Sequence, residues 1–286
     1  METYNDIYLR VRKRLKSSGV EAPEFEAKLI VASCAGRTRA QMLAISTVFA
    51  TDITIRTKIE ECLERRLTGE PLAYVLGEWE FYGIPIIVNP DVLIPRIDTE
   101  LLAAQAISLL NRKVWQTRML DLCTGSGCIG IAVAANVQGS RIVMGDTSEK
   151  ALAVCRANML ATKLSKNITA IAVDALREPH TLLGTFDLIV SNPPYIPTDD
   201  LETLDESVKN YEPIEALDGG KEGLDFFYSI SEHWKKLLKP GGHLAFECGI
   251  GQASQVRYIM KQNGLAGIKT FKDTLGIERV ISGMIT

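Results

Sequence analysis

Asn192-Pro193-Pro194-Tyr195 follows Phe186, Leu188, Ile189 and Val190, a short apolar run of the kind buried in a parallel sheet. The residue types after the run form a set of acceptors. The Asn192 side-chain oxygen is one, and the Pro193 carbonyl is a natural second. Neither Pro193 nor Pro194 has an N–H to compete, and their fixed φ holds the turn. Two such acceptors can grip the N–H bonds of a planar –NH2 group attached to a carbonyl or a ring. That nitrogen is a poor nucleophile because its lone pair is delocalised. Gripping it aims the third direction at an electrophilic carbon, such as the methyl of a sulfonium, so that alignment and preorganised polarity supply the acceleration. No strong base is required if the proton leaves after methyl transfer begins. Tyr195 can stack on the flat group.

A second constellation lies upstream. In "LDLCTGSGCIG", Gly125, Gly127 and Gly130 match GxGxxG between a predicted strand and a helix. Alone that is a weak signal, because a tight strand–helix turn looks the same. Asp146 ends the next predicted strand, nineteen residues after Gly127. A carboxylate there can accept hydrogen bonds from both hydroxyls of a ribose. Asp174 ends the third strand, near where an adenine edge would lie. These residues fit a dinucleotide or S-adenosylmethionine equally, since both carry a ribose and an adenine.

The elements that must position these groups follow from periodicity. Beyond Arg118 the pattern is strand, helix, strand, repeated, with candidate strands "RMLDLC", "SRIVMGD", "ITAIAVD", "FDLIVSN" and "GHLAFECG". Alternation of this kind predicts an α/β fold with helices on both faces of a parallel sheet. The tail "IKTFKDTLGIERVISGMI" predicts two strands joined at Gly276, too close for a crossover helix and therefore antiparallel. Residues 1 to about 70 read as helices: Tyr4, Ile7, Tyr8, Val11 and Leu15 recur at spacings of three and four. Thr38 and Gln41 stand at capping-box spacing. Ile55, Ile59, Cys62, Leu63 and Leu67 predict a further helix, stopped by Gly69 and Pro71. "WEFYGIPIIVNPDVLIP" reads as a short hairpin linker, and a helix is expected from Thr99 to Leu110. The expected division is a helical bundle over 1–75, a hairpin over 76–97 and a catalytic domain over 98–286.

A length of 286 residues suits roughly two domains, and the composition is that of an ordinary globular protein. A net charge of −3 argues against coating nucleic acid by bulk electrostatics. The basic cluster Arg10, Arg12, Lys13, Arg14 and Lys16 reads as a solvated helix face. Six irregularly spaced cysteines without a CxxC pair read as reduced, buried thiols, with neither a disulfide frame nor a metal site. No run reaches the roughly 18 apolar residues of a membrane span, and the cytoplasm is the expected compartment.

"RRLTGEPLAYVLGEWEFYG", "LIPRIDTE", "DLCTGSG", "SNPPY", "YEPIEALDGGKEGL", "LKPGGHLAFECGIGQ" and "GIERVI" occur in that order. The ordered set resembles the HemK/PrmC family of S-adenosylmethionine-dependent methyltransferases over nearly the whole chain. The resemblance implies a Rossmann-like class I methyltransferase fold with a small N-terminal helical bundle that recognises substrate. It implies methylation of the glutamine amide nitrogen in the Gly-Gly-Gln motif of class I peptide chain release factors, in support of translation termination. It further implies that Cys123, Thr124, Gly125, Ser126 and Gly127 wrap the methionine part of the cofactor. Asp146 would hold the ribose, Asp174 and Ala175 would border the adenine, and Asn192 with Pro193 would grip the amide. Pro194 and Tyr195 complete the pocket. Two departures stand out, since the family usually has glycine where this chain has Cys123 and proline where it has Ile97. A side chain at 123 is expected to keep φ from being strongly positive, and Ile97 to loosen the approach to Asp98.

A sibling enzyme acting on a glutamine of a ribosomal protein would share the Asn-Pro-Pro-Tyr chemistry. A nucleic-acid amino methyltransferase would need a basic target-recognition region. A nicotinamide dehydrogenase gives Asn192 no role, and a non-enzymatic interaction protein would not need it. The segment from Thr198 to Asp218 carries eight acidic residues and one lysine, and is expected to be a solvated loop or to face a basic partner.

Overall fold

The computed structural model describes residues 2–111 and 116–286. The chain divides into two compact units, Met1–Gly77 with Glu206–Tyr211, and Glu78–Asp205 with Glu212–Thr286.

The first unit contains α1 (Tyr4–Ser17), α2 (Pro23–Cys34), α3 (Arg39–Ala44), α4 (Ile53–Leu67) and α5 (Leu72–Leu76). Thr3 with Asp6, and Thr38 with Gln41, form capping boxes at the starts of α1 and α3. Asp52 caps α4 through its carboxylate. Ile7, Val11 and Leu15 of α1, Ala27 and Ile30 of α2, and Ile59 and Leu63 of α4 are fully buried. Pro71, expected only as a stop, instead stands at the N-cap of α5. The basic face of α1 is partly neutralised: Arg10 pairs with Glu2 and Glu60, and Arg14 with Glu64 at 2.8 Å.

The second unit opens with the hairpin β1 (Glu78–Phe81) and β2 (Ile84–Ile87). Tyr82 and Gly83 both have positive φ, the geometry of a two-residue primed turn. Then follow α6 (Thr99–Leu110), β3 (Arg118–Leu122), α7 (Cys128–Asn136), β4 (Arg141–Asp146), α8 (Glu149–Ala161), β5 (Ile168–Ala172) and β6 (Phe186–Ser191). The short α9 (Glu206–Lys209) belongs to the first unit. The second unit resumes with α10 (Asp225–Glu232), β7 (Leu238–Glu247), α11 (Ala253–Gln262), β8 (Leu265–Lys272) and β9 (Glu278–Ile285). The seven sheet strands lie in the order β5-β4-β3-β6-β7-β9-β8. The first five in sequence are parallel, and β9 runs antiparallel between β7 and β8. Strand β7 starts earlier than expected, at Leu238, and its register with β6 shifts across Lys239–Gly242.

Strand order reverses at β3 and β6. The chain leaves β3 toward β4 and β5, then returns to place β6 on the other flank. Connections diverge there, which opens a crevice at the strands' carboxyl ends. All six residues of β6 are buried, and Phe246 of β7 meets Phe227 of α10 edge to face at 5.2 Å. Rigid packing on both faces is what holds the strand ends, and hence the site, in place.

Candidate active site

A cavity of about 460 Å³ opens at these carboxyl ends, within the ~300–1,000 Å³ typical of small-molecule sites. Cys123 and Gly125 after β3, Asp146 at the end of β4, Asp174 and Ala175 after β5, and Asn192 and Pro194 after β6 all line it. Register explains the convergence. Leu122 pairs with Ser191, so the glycine loop and Asn192 leave adjacent strands at the same height.

The glycine loop is built around two carboxylates. Asp121 is fully buried. Its Oδ2 accepts from the Thr124 hydroxyl at 2.6 Å and the Gly130 N–H at 3.0 Å, while Oδ1 has no partner. Burial pushes its pKa up to about 7 against those two bonds. At Asp146, Oδ2 accepts from the Gly125 N–H at 2.8 Å and Oδ1 from the Ser148 N–H at 3.0 Å. Burial raises its pKa, and the same N–H groups oppose that rise. Each oxygen retains a further lone pair toward the cavity side. Gly130 lets α7 press onto β4, since a Cβ there would lie 2.5 Å from the Met144 sulfur.

Cys123 corrects an expectation. Its φ is +56°, in the left-handed region. The next residue's N–H is tied to the Gly145 carbonyl at 3.1 Å, and the Gly127 N–H to the Thr124 carbonyl at 2.9 Å. The fixed turn imposes the conformation on a residue with a side chain, at a cost of about 1–2 kcal/mol. Nor is the approach to Asp98 slack, because Arg279 holds that carboxylate at 3.0 Å while Ile97 is exposed.

Thr124, Ser126 and Gly127 are buried and are not among the residues that line the cavity. Asp174 forms a turn with the Leu176 N–H at 2.8 Å and pairs with Arg177 at 3.1 Å. The Ala175 carbonyl accepts from Ser229 and from the Trp234 indole. Asn192 is half-buried, and its amide nitrogen donates to the Thr99 hydroxyl at 3.2 Å. Pro193 is buried and does not line the cavity. Neither does Tyr195, whose ring stands against Gly249 and the core and whose carbonyl accepts from Gln252 at 2.8 Å.

Three descriptions from known proteins bear on this geometry. The PrmC N-terminal domain family matches residues 6–77, and the Methyltransferase small domain family matches residues 98–208. The chain is 39% identical to a release factor glutamine methyltransferase of Fusobacterium nucleatum, over 96% of this chain and 77% of that one. A protein of the same name from Clostridium botulinum is 34% identical, over 93% and 94% of the two chains.

The chain belongs to the release factor glutamine methyltransferase family.

The fold is shared more widely. The hMettl16 catalytic domain superposes with a TM-score of 0.57 at 16% identity, covering 81% of this chain and 82% of that one. A methyltransferase from Pyrococcus furiosus gives 0.50 at 18% identity, over 79% of this chain and 98% of that one.

The charge of the cavity lining bears on the cofactor. Asp91, Asp146, Asp174, Glu215, Asp218 and Asp225 line the cavity, and no lysine or arginine is among the lining residues described. These carboxylates repel a diphosphate and attract a cationic sulfonium with an ammonium group.

Two structural devices escaped sequence reading. Asn158 of α8, fully buried, exchanges hydrogen bonds with Ile87 of β2 and donates to the Ser126 carbonyl, tying the hairpin to the glycine loop. The segment after Leu217 clamps the Asn-Pro-Pro-Tyr turn: the Ile196 N–H donates to the Leu217 carbonyl and the Gly219 N–H to the Ile196 carbonyl. A Cβ at Gly219 would lie 2.7 Å from the Tyr195 Cα. The paired glycines of "DGGKEG" were the available signal. Within the acidic segment, Glu212 is buried against Arg96, and Asp218 holds Thr198 and the Gly220 N–H. These two carboxylates are structural.

Proposed function

We propose that this protein transfers the methyl group of S-adenosyl-L-methionine to the side-chain amide nitrogen of the glutamine in the Gly-Gly-Gln motif of class I release factors, in the cytoplasm. One observation supports the chemistry above the others: Asn192 lines the cavity and its amide nitrogen donates to the Thr99 hydroxyl, so the side-chain oxygen is the end left to accept from a substrate amide. S-adenosyl-L-methionine, when bound, supplies an electrophilic methyl on a cationic sulfur. Asp146 offers lone pairs to ribose hydroxyls, Asp174 and Ala175 border the adenine, and the turn from Cys123 to Gly127 receives the methionine part.

The Asn192 oxygen and the Pro193 carbonyl accept the two N–H bonds of the glutamine amide and fix the direction of its lone pair. Pro194 holds the turn, and Tyr195 supports it from behind through its packing on Gly249. The acidic lining of the cavity raises the local concentration of a cationic cofactor. The helical unit, over about residues 1–75, recognises the release factor. The hairpin over 76–97 joins it to the catalytic domain over 98–286.

The test is to offer the full chain and labelled cofactor a release factor, ribosomal proteins, DNA and RNA in separate reactions, then map the methyl by mass spectrometry. Label is expected on the Gly-Gly-Gln glutamine alone, and absent with Asn192→Ala. Label on nucleic acid, or undiminished label with Asn192→Ala, overturns the assignment.

A further inference from the structure

We propose that Glu247 is a positioning residue, which acts with Thr99 to set which end of the Asn192 amide faces the substrate. This rests on the reading of Asn192 given above, and deepens it.

The register of the sheet brings the three groups together. Ser191 of β6 pairs with Phe246 of β7, so Asn192 and Glu247 are neighbours at adjacent strand ends. Thr99, at the first turn of α6, lies over them. Thr99 and Glu247 are each 2% exposed. The Asn192 nitrogen donates to the Thr99 oxygen at 3.2 Å. A hydroxyl that accepts this bond keeps one proton to donate. The Thr99 and Asn192 side chains lie close enough to the Glu247 carboxyl group to favour its ionised form, and its buried Oε2 has no hydrogen-bond partner.

An amide has two ends of similar shape and opposite function. Turned one way, Asn192 presents an acceptor to the incoming –NH2. Turned the other way, it presents a donor that repels it. A carboxylate accepts only, so Glu247 and Thr99 draw the Asn192 nitrogen inward and leave the oxygen outward. A buried carboxyl group with a partnerless oxygen is expensive compared with an apolar residue of similar volume. Orienting the amide gives it a use that packing does not.

The protonation state matters, because a protonated carboxyl group can donate and so stabilise the flipped amide. The charged and titratable groups around Glu247 are the Arg279 guanidinium, which favours the carboxylate, and Asp98, which opposes it. Tyr195, Cys248 and Cys128 are near enough to feel its charge. Burial dominates and lifts the Glu247 pKa to about 7. The competent form is the ionised one, so turnover falls as pH drops through about 7.

The test uses the full chain with release factor and S-adenosylmethionine, and compares wild type, Glu247→Gln, Thr99→Val, the double variant and Asn192→Ala. In Glu247→Gln and in Thr99→Val, kcat is expected to fall by about 10- to 100-fold, the scale of a misaimed reacting group, with cofactor Kd and Tm near wild type. The acid limb of the kcat profile disappears in Glu247→Gln, and the double variant is no slower than the worse single one. A purely structural Glu247 would move Tm and leave the pH limb in place. The proposal is overturned if either folded variant keeps kcat within about twofold of wild type, or if the two effects multiply as independent sites do. Should Glu247→Gln fail to fold, Thr99→Val decides by the same criterion. Undiminished methylation by Asn192→Ala would instead sink the underlying reading, and is scored separately.

Discussion

Asp121 shows how a single buried side chain couples the glycine loop to pH. Its Oδ2 holds Thr124 and Gly130 while Oδ1 has no partner, and its pKa is pushed up to about 7 by burial. The folded value lies above the unfolded one, so the folded state binds the proton more tightly. Its contribution to stability is therefore complete below the ordinary carboxylate range and is lost as pH rises through about 7. Asp121→Asn should remove that slope, and subtracting its Tm-versus-pH curve from that of wild type should isolate it. A difference curve flat from pH 4 to 8 would show that Asp121 titrates alike in both states. Cys123 carries a different lesson at the same scale. A side chain disfavours a strongly positive φ, yet backbone bonds on the neighbouring residues hold it at +56°.

At the scale of elements, the site is a set of turns hung on strand ends and clamped from outside. Gly219 exemplifies the clamp. A methyl group there would press on backbone at three points, the Tyr195 Cα at 2.7 Å, the Pro194 oxygen at 2.8 Å and the Gly223 Cα at 2.9 Å, where no rotamer change gives relief. Gly219→Ala should cost about 1–3 kcal/mol by overpacking, and should lower kcat more than it weakens cofactor binding. Chemical denaturation and single-turnover kinetics would measure the two effects. An unchanged kcat would mean that the turn tolerates displacement. Strands, helices and the antiparallel tail were legible because each is announced by local periodicity and punctuation. The short α5 was not, because Pro71 can end one helix or open the next.

Across the whole molecule, the thiols form a map of local electrostatics. The sequence predicts reduced, buried thiols; all six are free, Cys128, Cys155 and Cys248 are buried, and Cys34, Cys62 and Cys123 are half-buried. In the helical unit, the sulfur atoms of Cys34 and Cys62 lie 3.7 Å apart. The bond from Cys34 and the nearby Arg65 bring Cys62 down to about 7, whereas Cys34 itself is pushed up. Burial lifts Cys128 and Cys248 to about 12, and raises Cys123 and Cys155 as well. Only the thiolate reacts quickly. Iodoacetamide at neutral pH should therefore modify Cys62 first, as read by peptide mass spectrometry. First labelling at Cys123 or Cys34 would contradict this.

The sequence alone determined the α/β class, the order of the sheet-forming strands along the chain, and the placement of Asp146, Asp174 and Asn192 at or just beyond strand ends. All of these follow from short-range patterns, since a strand's apolar run also dictates where its polar end must fall. Tertiary structure alone decided what surrounds those groups. Thr99 and Asn192 are 93 positions apart, and meet because sheet register and the docking of α6 bring them together. The acidic lining of the cavity is likewise assembled from separate turns. Hydrogen bonds and desolvation act through space, and proximity in space is the one quantity that local spacing along a chain does not encode.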